Sequence, residues 1–379
     1  MSKPTTRRQW ILRASKGALA LGGLGVLGSQ ALASKADSSK EKIYHWKMVT
    51  TWPPQFPGLG TGAEKLAQNI ETLSGGRIKI KVYGAGELVP AMGVFDAVSR
   101  GVAELGHGAS YYWQGKHPAC TFFASVPFGL TADEMNGWIY YGGAQQLWDE
   151  VYAPFHVKGF AAGNTGVQMG GWFNKEIKKV EDFKGLKMRM PGLGGEVLTK
   201  LGATVVTLAG GEIFQALKTG SIDATEWVGP YNDQAFGLHK AAQYYYWPGW
   251  HEPGTTLECI INKKLFESLP SDLQKVIEIS CQAANLDMQS EFTARNAQAL
   301  ANLVVEHRVK IRKFPEEVLK EIDKISQEVL LEYSKKDKLT GKVYKHFMNY
   351  RKACMAWIKV AEQGYSLARS LRDRTGDVK

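Results

Sequence analysis

The chain has 379 residues, of which 44% are hydrophobic, and its formal net charge is +10. This length allows two domains of ordinary size. Half of the basic excess lies in residues 1–33, which contain five basic residues and no acidic one. The charge that remains is mild and dispersed, so we expect no nucleic-acid partner.

Residues 1–33 have the order of a cleavable export signal. The stretch TRRQWIL at 6–12 resembles the twin-arginine motif, with Trp10 where that motif usually has Phe; a chance pair of arginines is the alternative. The uncharged segment 17–33 is too short and too rich in glycine to span a bilayer. It ends in Ala-Leu-Ala, a small-x-small pattern that signal peptidase accepts. We therefore predict a twin-arginine-type signal peptide at 1–33, cleavage after Ala33 and a periplasmic location.

From Lys42 onwards the sequence alternates predicted strands with predicted helices. Periodicity and turn residues place strands near residues 43–50, 77–82 and 103–107, and helices near 60–73 and 90–100. Strands that alternate with helices indicate an α/β fold with mainly parallel pairing.

An internal echo suggests two similar halves. The segment FDAVSRGVAE at 95–104 resembles FQALKTGSID at 214–223, with phenylalanine, alanine, an aliphatic residue, glycine and an acidic residue in register. Each copy has the pattern of a helix end, a glycine stop and the start of a strand. We interpret the echo as two α/β lobes that face each other across a cleft, although any helix-to-strand turn has a similar pattern.

The final third of the chain is predicted to be largely helical. Helices are expected near residues 271–312 and 316–335, separated by Pro315. The last helix carries an apolar stripe formed by Val343, Phe347, Tyr350, Ala353, Trp357 and Val360. This stripe could pack on its own lobe or bind a partner subunit.

The sequence lacks the common catalytic signatures. It has no GxSxG elbow, HExxH motif, P-loop or Rossmann GxGxxG spacing, and its eight histidines show no metal-ligand spacing. The four cysteines form no CxxC pair. In an oxidising compartment, one or two disulfides could form among them. We therefore predict that the protein is not an enzyme.

One arginine stands where α/β sheets bind ligands. In GLKMRMPG at 185–192, alternation predicts a strand that ends at Arg189, one residue before Pro-Gly. Ligands of open α/β sheets bind beyond the carboxyl ends of the strands. A guanidinium there can hold a carboxylate with two hydrogen bonds, so Arg189 is a candidate anion clamp. A surface arginine is the alternative interpretation.

Two glutamates in aromatic segments suggest a cation. Glu226 follows a predicted strand, and Glu252 lies in a loop rich in proline, glycine and tryptophan. Both would repel an anionic ligand unless a cation stood between them. Carboxylate and amide oxygens, the latter from Gln168, suit Na⁺ or Ca²⁺. Either glutamate could instead cap a helix or face solvent.

Seven short segments, taken together and in this order, resemble one protein family. They are GGRI (75–78), GAGEL (84–88), FNK (173–175), GLKMRMPG (185–192), LGAT (201–204), EIFQALKTG (212–220) and IDATEW (222–227). The set resembles the DctP-type solute-binding proteins of TRAP transporters, and within them the group that binds 2-oxo acids. The resemblance covers nearly the whole chain after the export signal.

The resemblance implies a two-lobed, periplasmic-binding-protein-like α/β fold with a cleft between the lobes and long C-terminal helices. Lobe 1 is expected at residues 38–163 plus about 253–275. Lobe 2, with a lobe-spanning helix, is expected at 164–252 plus part of 276–335. Residues 336–379 would form a C-terminal amphipathic helix and a candidate dimerisation element, since related proteins form dimers by exchanging such helices.

The resemblance also implies roles for individual residues. Arg189 matches the family arginine that binds the ligand carboxylate, and Tyr112 matches a ligand-contacting aromatic residue. The positions around a bound cation match Gln168, Glu226, Trp227 and Glu252. The implied ligand is a 2-oxo monocarboxylate, pyruvate or longer, bridged by Na⁺ or Ca²⁺, and its implied contacts are Tyr112, Gln168, Arg189 and Trp227. Gln168 speaks against sialic acid, whose binders typically have another arginine near this position.

The implied partners are the small and large membrane subunits of a TRAP transporter, and a second copy of the chain bound through the C-terminal helix. Three alternatives remain open from the sequence. The ligand could be a 2-hydroxy acid such as lactate. The protein could be an exported enzyme with a cofactor. It could also deliver its ligand to a sensor instead of a transporter.

Overall fold

Strands form where β-branched and aromatic residues run between turns rich in glycine, proline and serine. The structure, a computed structural model, describes residues 42–374, so the predicted signal peptide at 1–33 lies outside the described residues. In chain order the strands are β1 (Tyr44–Thr50), β2 (Ile78–Tyr83), β3 (Leu105–Gly108), β4 (Val157–Asn164), β5 (Gly171–Phe173), β6 (Lys187–Arg189), β7 (Thr204–Val206), β8 (Ala224–Thr225), β9 (Tyr244–Trp247), β10 (Thr256–Asn262) and β11 (Lys310–Lys313). They form two separate sheets.

The described residues contain twelve α-helices. In chain order they are α1 (Gly60–Leu73), α2 (Val94–Ser99), α3 (Ala132–Tyr140), α4 (Ala144–Tyr152), α5 (Gly192–Lys200), α6 (Gly210–Lys218), α7 (Pro230–Ala235), α8 (Lys263–Glu267), α9 (Ser271–Val305), α10 (Glu316–Ser334), α11 (Lys338–Val360) and α12 (Glu362–Arg374). Within residues 42–374, no helix combines the length and apolar character needed to cross a membrane.

The first sheet has the strand order β2-β1-β3-β10-β4. Strand β1 is parallel to β2 and β3, whereas β10 is antiparallel to β3 and β4. Both faces of β1 are covered: Trp46 and Met48 pack with residues of α1, and Val49 packs with residues of α2. Burial on two faces explains why β1 is apolar along most of its second half.

The second sheet has the order β11-β9-β5-β8-β6-β7. Strands β6, β7 and β8 are parallel, and β5 runs antiparallel to β8 and β9. The pairing in both sheets is therefore more mixed than the mainly parallel pattern predicted. The reason is that β5 and β10 follow segments that leave one sheet and enter the other, so each runs against its neighbours.

The edge strand β11 corrects one sequence prediction. A helix was expected to continue to residue 312, but α9 ends at Val305 and residues 310–313 pair in parallel with β9. Arg308 has a φ of 53°, in the left-handed region, so the helix cannot continue through it. The basic residues of β11 occupy the outer edge of the sheet, where charged side chains oppose unwanted strand pairing.

The internal echo corresponds to the same local structure in both sheets. The helices α2 and α6 each end shortly before a glycine in the left-handed conformation, Gly101 with φ 72° and Gly220 with φ 74°. Only glycine adopts this conformation at little cost. Each glycine turns the chain from a helix towards the next strand.

The 35-residue helix α9 contacts both halves of the molecule, by which we mean the elements around the first sheet and those around the second. It packs against α1 and β4 of the first half and against α7 of the second. Lys65 forms ion pairs with Asp287 and Glu291, and Tyr231 donates a hydrogen bond to Glu291 at 3.0 Å. One carboxylate on α9 therefore contacts side chains from both halves.

The C-terminal helices divide the predicted apolar stripe. Val343 and Phe347 of α11 are fully buried, and Phe347 packs against Trp138 of α3. Further along α11, Trp357 is 65% exposed and Val360 is 71% exposed. The first part of the stripe therefore packs on its own chain, and the last part faces solvent.

Candidate functional site

Polar and aromatic side chains from both halves converge on a small cavity of about 10 Å³. Its lining is formed by Trp52, Leu59, Tyr111, Tyr112, Thr165, Gln168, Trp227, Val228, Thr255 and Leu257. Several of these residues follow the carboxyl ends of β1, β3, β4 and β8, the edge at which α/β sheets bind ligands. A larger cavity of about 340 Å³ lies between Tyr140, Lys158 and Cys281, but the buried side chains of Arg189, Glu226 and Glu252 lie beside the smaller one.

A buried ion pair stands beside this cavity. Arg189 ends β6, and it lies opposite Thr225 at the end of the parallel strand β8, so the next residue, Glu226, reaches its guanidinium. Nη1 of Arg189 donates to Oε1 of Glu226 and, at 3.2 Å, to the backbone oxygen of the same residue. Nε and Nη2 each donate to the backbone oxygen of Leu208 at 3.3 Å. Both charged side chains are 1% exposed.

The surroundings of Arg189 keep it charged. Burial acts to lower the pKa of Arg189, but the carboxylate of Glu226 and the neighbouring groups more than offset burial, so its pKa is raised. The guanidinium also lies 5.1 Å from the ring centre of Trp227, where a cation–π interaction favours the charge. Arg189 is therefore a permanent positive charge in a site that excludes water.

A second group of polar side chains fixes Glu252. Nε2 of Gln168 donates to Oε2 of Glu252 at 2.8 Å, and the hydroxyl of Thr255 donates to the same oxygen at 2.5 Å. The backbone nitrogen of Gln168 also donates to the backbone oxygen of Glu252 at 3.1 Å. Burial, and then the charge of Glu226, raises the pKa of Glu252 to about 7.

Several buried polar atoms of this cluster have no hydrogen-bond partner in the described part of the chain. They are Oε1 of Gln168, Oε2 of Glu226, Nε1 of Trp227 and both ring nitrogens of His251. Such atoms are rare in native proteins because an unpaired buried polar group costs free energy. Candidate ligand atoms of Glu226, His251 and Glu252 lie within 4.8 Å of one another. The unpaired amide oxygen of Gln168 and the carboxylates of Glu226 and Glu252 fit the oxygen ligands that Na⁺ and Ca²⁺ prefer.

The turn at 110–113 brings two tyrosines to the same place. Burial raises the pKa of Tyr112, and the positive charge of Arg189 acts against this rise. Burial, and then the charge of Glu252, raises the pKa of Tyr111. The helix α5 approaches Tyr111 closely at Gly192, where an added Cβ would lie 3.4 Å from the tyrosine Cβ.

A third buried carboxylate lies behind this turn. Trp113, in the same turn, donates to Oε1 of Glu258 at 2.5 Å, and the hydroxyl of Tyr152 donates to Oε2 at 2.8 Å. Burial raises the pKa of Glu258 to about 7. Glu258 lies at an irregularity in the pairing of β10 with β4, and it ties that strand to the turn that bears Tyr112.

The structure brings all of the predicted site residues into one cluster: Tyr112, Gln168, Arg189, Glu226, Trp227 and Glu252. Their roles in binding stay predictions. Sequence reasoning missed Thr255, Tyr111 and His251, and the last was counted only among eight histidines without metal-ligand spacing. The available signal was position, since His251 directly precedes Glu252 and Tyr111 directly precedes Tyr112. The four cysteines, all within the described residues, are free thiols.

The sequence is similar to proteins that bind solutes outside the cytoplasm. The family model described as bacterial extracellular solute-binding protein, family 7 (DctP) matches residues 48–337. A monocarboxylate 2-oxoacid-binding periplasmic protein of Nostoc sp. (strain PCC 7120) is 46% identical over 320 residues, which cover 84% of this chain and 87% of that protein.

Two crystal structures share the fold. The first is a TRAP periplasmic solute binding protein from Pseudoalteromonas atlantica T6c with bound sodium and pyruvate. It is 45% identical with a TM-score of 0.83, and the match covers 86% of this chain and 98% of that one. A TRAP periplasmic solute binding protein from Colwellia psychrerythraea, with bound calcium and pyruvate, is 43% identical, has a TM-score of 0.83, and the match covers 86% and 99%. The predicted two-lobed α/β fold is confirmed by this agreement, and the chain belongs to the DctP family, bacterial extracellular solute-binding protein family 7.

Proposed function

We propose that this protein is the periplasmic solute-binding subunit of a TRAP transporter and that it captures a small 2-oxo monocarboxylate, pyruvate or a longer one, together with Na⁺ or Ca²⁺. The family membership supports the transport role. The name of the Nostoc relative and the ligands of the two solved structures support the class of ligand and cation. In this proposal the protein acts by binding, without catalysis.

One observation carries the proposal: a buried guanidinium lies beside two buried carboxylates and an unpaired amide oxygen. Arg189 offers paired N–H groups to a carboxylate, and Gln168, Glu226 and Glu252 offer oxygen ligands to a cation. Trp227 belongs to the same set through its position beside Glu226. A 2-oxo monocarboxylate has a carboxylate for the arginine and an adjacent oxo oxygen that a cation can share with it. Bound there, the cation neutralises the two glutamates and bridges them to the acid.

The site must rearrange before it can accept a ligand. Arg189 is paired with Glu226, and a cavity of about 10 Å³ holds no more than roughly one water molecule. We infer that separation of the lobes opens the cavity and that Glu226 turns its charge from Arg189 to the cation. Arg189 then presents its N–H groups to the ligand carboxylate, while Tyr112 and Trp227 cover the acid. Closure excludes water and strengthens these interactions.

Calorimetry on protein stripped with a chelator tests this function. Pyruvate, longer 2-oxo acids and lactate are titrated with and without Na⁺ or Ca²⁺, and we expect 2-oxo acids to bind when the cation is present. Arg189→Gln should lower the affinity for pyruvate at least about 100-fold, because a charged and buried hydrogen-bonded pair is lost. Arg312→Gln is the matched control, since that arginine pairs with Glu176 at the surface. Equal affinities of the Arg189 variant and the wild type would remove Arg189 from the site.

We further propose boundaries for the two lobes and a role for the C-terminus. Lobe 1 would comprise residues 38–163 plus about 253–275, which is supported by β4 and β10 sharing the first sheet. Lobe 2 would comprise 164–252 plus part of 276–335, with α9 spanning both. The segment 336–379 would bind a second copy of the chain, and its exposed Trp357 and Val360 support this role. Export through the signal at 1–33, with cleavage after Ala33, completes the proposal.

A further inference from the structure

His251 is a buried histidine beside the proposed cation site, and its ring nitrogens have no hydrogen-bond partner within residues 42–374. The residue is 2% exposed. Its Nε2 lies 3.5 Å from Oε2 of Glu226, an atom that is also buried and unpaired. The two unpaired atoms therefore face each other just beyond the length of a good hydrogen bond.

The position of the His251 ring is set by packing on two sides. The indole of Trp250 lies edge-on to it, with ring centres 5.4 Å apart. On the side of α5, a Cβ added at Gly194 would lie 2.9 Å from the Cβ of His251, so the helix backbone approaches the histidine closely. The ring is thus held near Glu226 by the fold itself, and the unpaired nitrogens are not the result of a free side chain.

A second histidine of the same chain shows what an ordinary core histidine does. His107 is fully buried, and both of its nitrogens have partners: Nε1 of Trp52 donates to Nδ1 at 2.8 Å, and Nε2 lies 3.2 Å from the backbone oxygen of Ala162. Burying an imidazole without partners costs free energy, and here an unpaired ring nitrogen also faces an unpaired carboxylate oxygen, so we expect another state of the protein to join the two. His251 thus differs from His107 in the feature that a functional histidine would show.

We propose that His251 is a positioning residue for Glu226 in the cation-bound state. This inference rests on the proposed function. While Oε1 of Glu226 is paired with Arg189, that ion pair holds the carboxylate and His251 makes no hydrogen bond to it. When Oε1 leaves Arg189 for the cation, Nε2–H of His251 donates to Oε2. This hydrogen bond fixes the rotation of the carboxylate, so that one oxygen faces the cation and the other faces the protein.

The expected effect is a loss of cation affinity without a loss of fold. Hydrogen-bond partners of a metal ligand typically contribute roughly 10- to 100-fold to metal affinity. His251→Leu keeps an apolar side chain in contact with Trp250 but removes the donor, so Ca²⁺ affinity should fall by roughly this factor. His251→Gln places an amide donor near the position of Nε2, and it should retain Ca²⁺ affinity within roughly threefold of the wild type.

The test is calorimetric titration of Ca²⁺ into chelator-stripped protein, followed by pyruvate, for the wild type and both variants. His239→Leu is the matched control, because His239 is a half-buried histidine on another element, with ring nitrogens that are also unpaired among the described residues. We expect the control to match the wild type. Rescue by glutamine and loss with leucine, at equal thermal stability of the stripped proteins, supports a positioning role.

Two results would overturn the inference. The first is a leucine variant that binds Ca²⁺ as tightly as the wild type. The second is ¹⁴N coupling from an imidazole in the pulsed electron paramagnetic resonance spectrum of bound Mn²⁺, since this would make His251 a direct ligand. If the leucine variant does not fold, His251→Met, which also lacks a donor, takes its place, and unchanged Ca²⁺ affinity of that variant would overturn the inference. Failure of the wild type to bind pyruvate with any cation would refute the proposed function instead.

Discussion

The ion pair between Arg189 and Glu226 makes a prediction about stability and ligand binding together. Glu226→Gln removes one charge of a pair whose two side chains are each 1% exposed. Arg189 then retains only neutral partners, the backbone oxygens of Leu208 and residue 226 and the new amide. Removing one partner of a buried ion pair typically costs about 3–5 kcal/mol, since the remaining charge is uncompensated. We expect a value near the lower end, because the glutamine amide can still accept a hydrogen bond from the guanidinium.

The same variant should uncouple the acid from the cation. In the wild type, Arg189 becomes free for a carboxylate only when Glu226 turns to the cation, so pyruvate alone should stabilise the protein little. In Glu226→Gln, the carboxylate of pyruvate can replace the lost partner without a cation. A ligand at 100 times its Kd raises the free energy of unfolding by about 2.7 kcal/mol. Pyruvate without cation should therefore recover most of the stability that the substitution removes.

Urea denaturation of chelator-stripped protein, followed by tryptophan fluorescence with and without pyruvate, measures both effects. The double variant Arg189→Met/Glu226→Gln is a matched control, because removing both charges should destabilise less than removing one, and pyruvate should not rescue it. Glu176→Gln, at the exposed pair with Arg312, should unfold at the same urea concentration as the wild type. The reasoning fails if Glu226→Gln unfolds like the wild type and its pyruvate binding still requires a cation.

Three other positions give testable outcomes. Burial raises the pKa of Glu258 from 4.5 to about 7, so the folded state binds a proton that the unfolded state releases. As the pH rises from 4.5 to 7, the free energy of unfolding of the wild type should therefore fall by about 3 kcal/mol relative to that of Glu258→Gln. A constant difference between the two proteins across this pH range would contradict the prediction. Gly249→Ala places a Cβ against the carbonyl group of Gln168. Because this displaces a candidate cation ligand, the Ca²⁺ affinity measured by calorimetry should fall by roughly tenfold. Unchanged affinity would mean that the backbone at this position can move freely. Trp357→Asp should convert a dimer to a monomer in light scattering after size exclusion, and a wild type that is already monomeric would remove the proposed interface.

Local pattern was sufficient for most of the secondary structure. The predicted helix at 60–73 coincides with α1, and the predicted helix at 316–335 differs from α10 by one residue. Both have a clear apolar face and turn residues at their ends. The prediction was wrong at residues 306–312, where a helix was expected; α9 ends at Val305, and residues 310–313 form β11. No local signal ends the helix there strongly, and pairing with β9, far away in sequence, decides the outcome.

For the site, position in the chain identified the charges but not their arrangement. Arg189 before Pro-Gly, and Glu226 after the short strand β8, were recognisable because strand ends are where α/β proteins place ligand contacts. Their direct pairing was not predicted, since it depends on β6 and β8 being neighbours in the sheet. His251 was missed for a similar reason. A buried histidine becomes a functional candidate only when its ring lacks hydrogen-bond partners, and those partners are known only from the folded structure.

The sequence alone therefore determined the lobe-like alternation of strands and helices, the family, and the residues that carry charge at strand ends, because these depend on local propensity, periodicity and residue type. Only the tertiary structure decided that Arg189 pairs with Glu226, that Gln168 holds Glu252, and that His251 faces an unpaired oxygen. These contacts join segments that are from 25 to 84 residues apart in the chain. The geometry of these contacts follows from strand order and helix packing, and local sequence patterns determine neither of them.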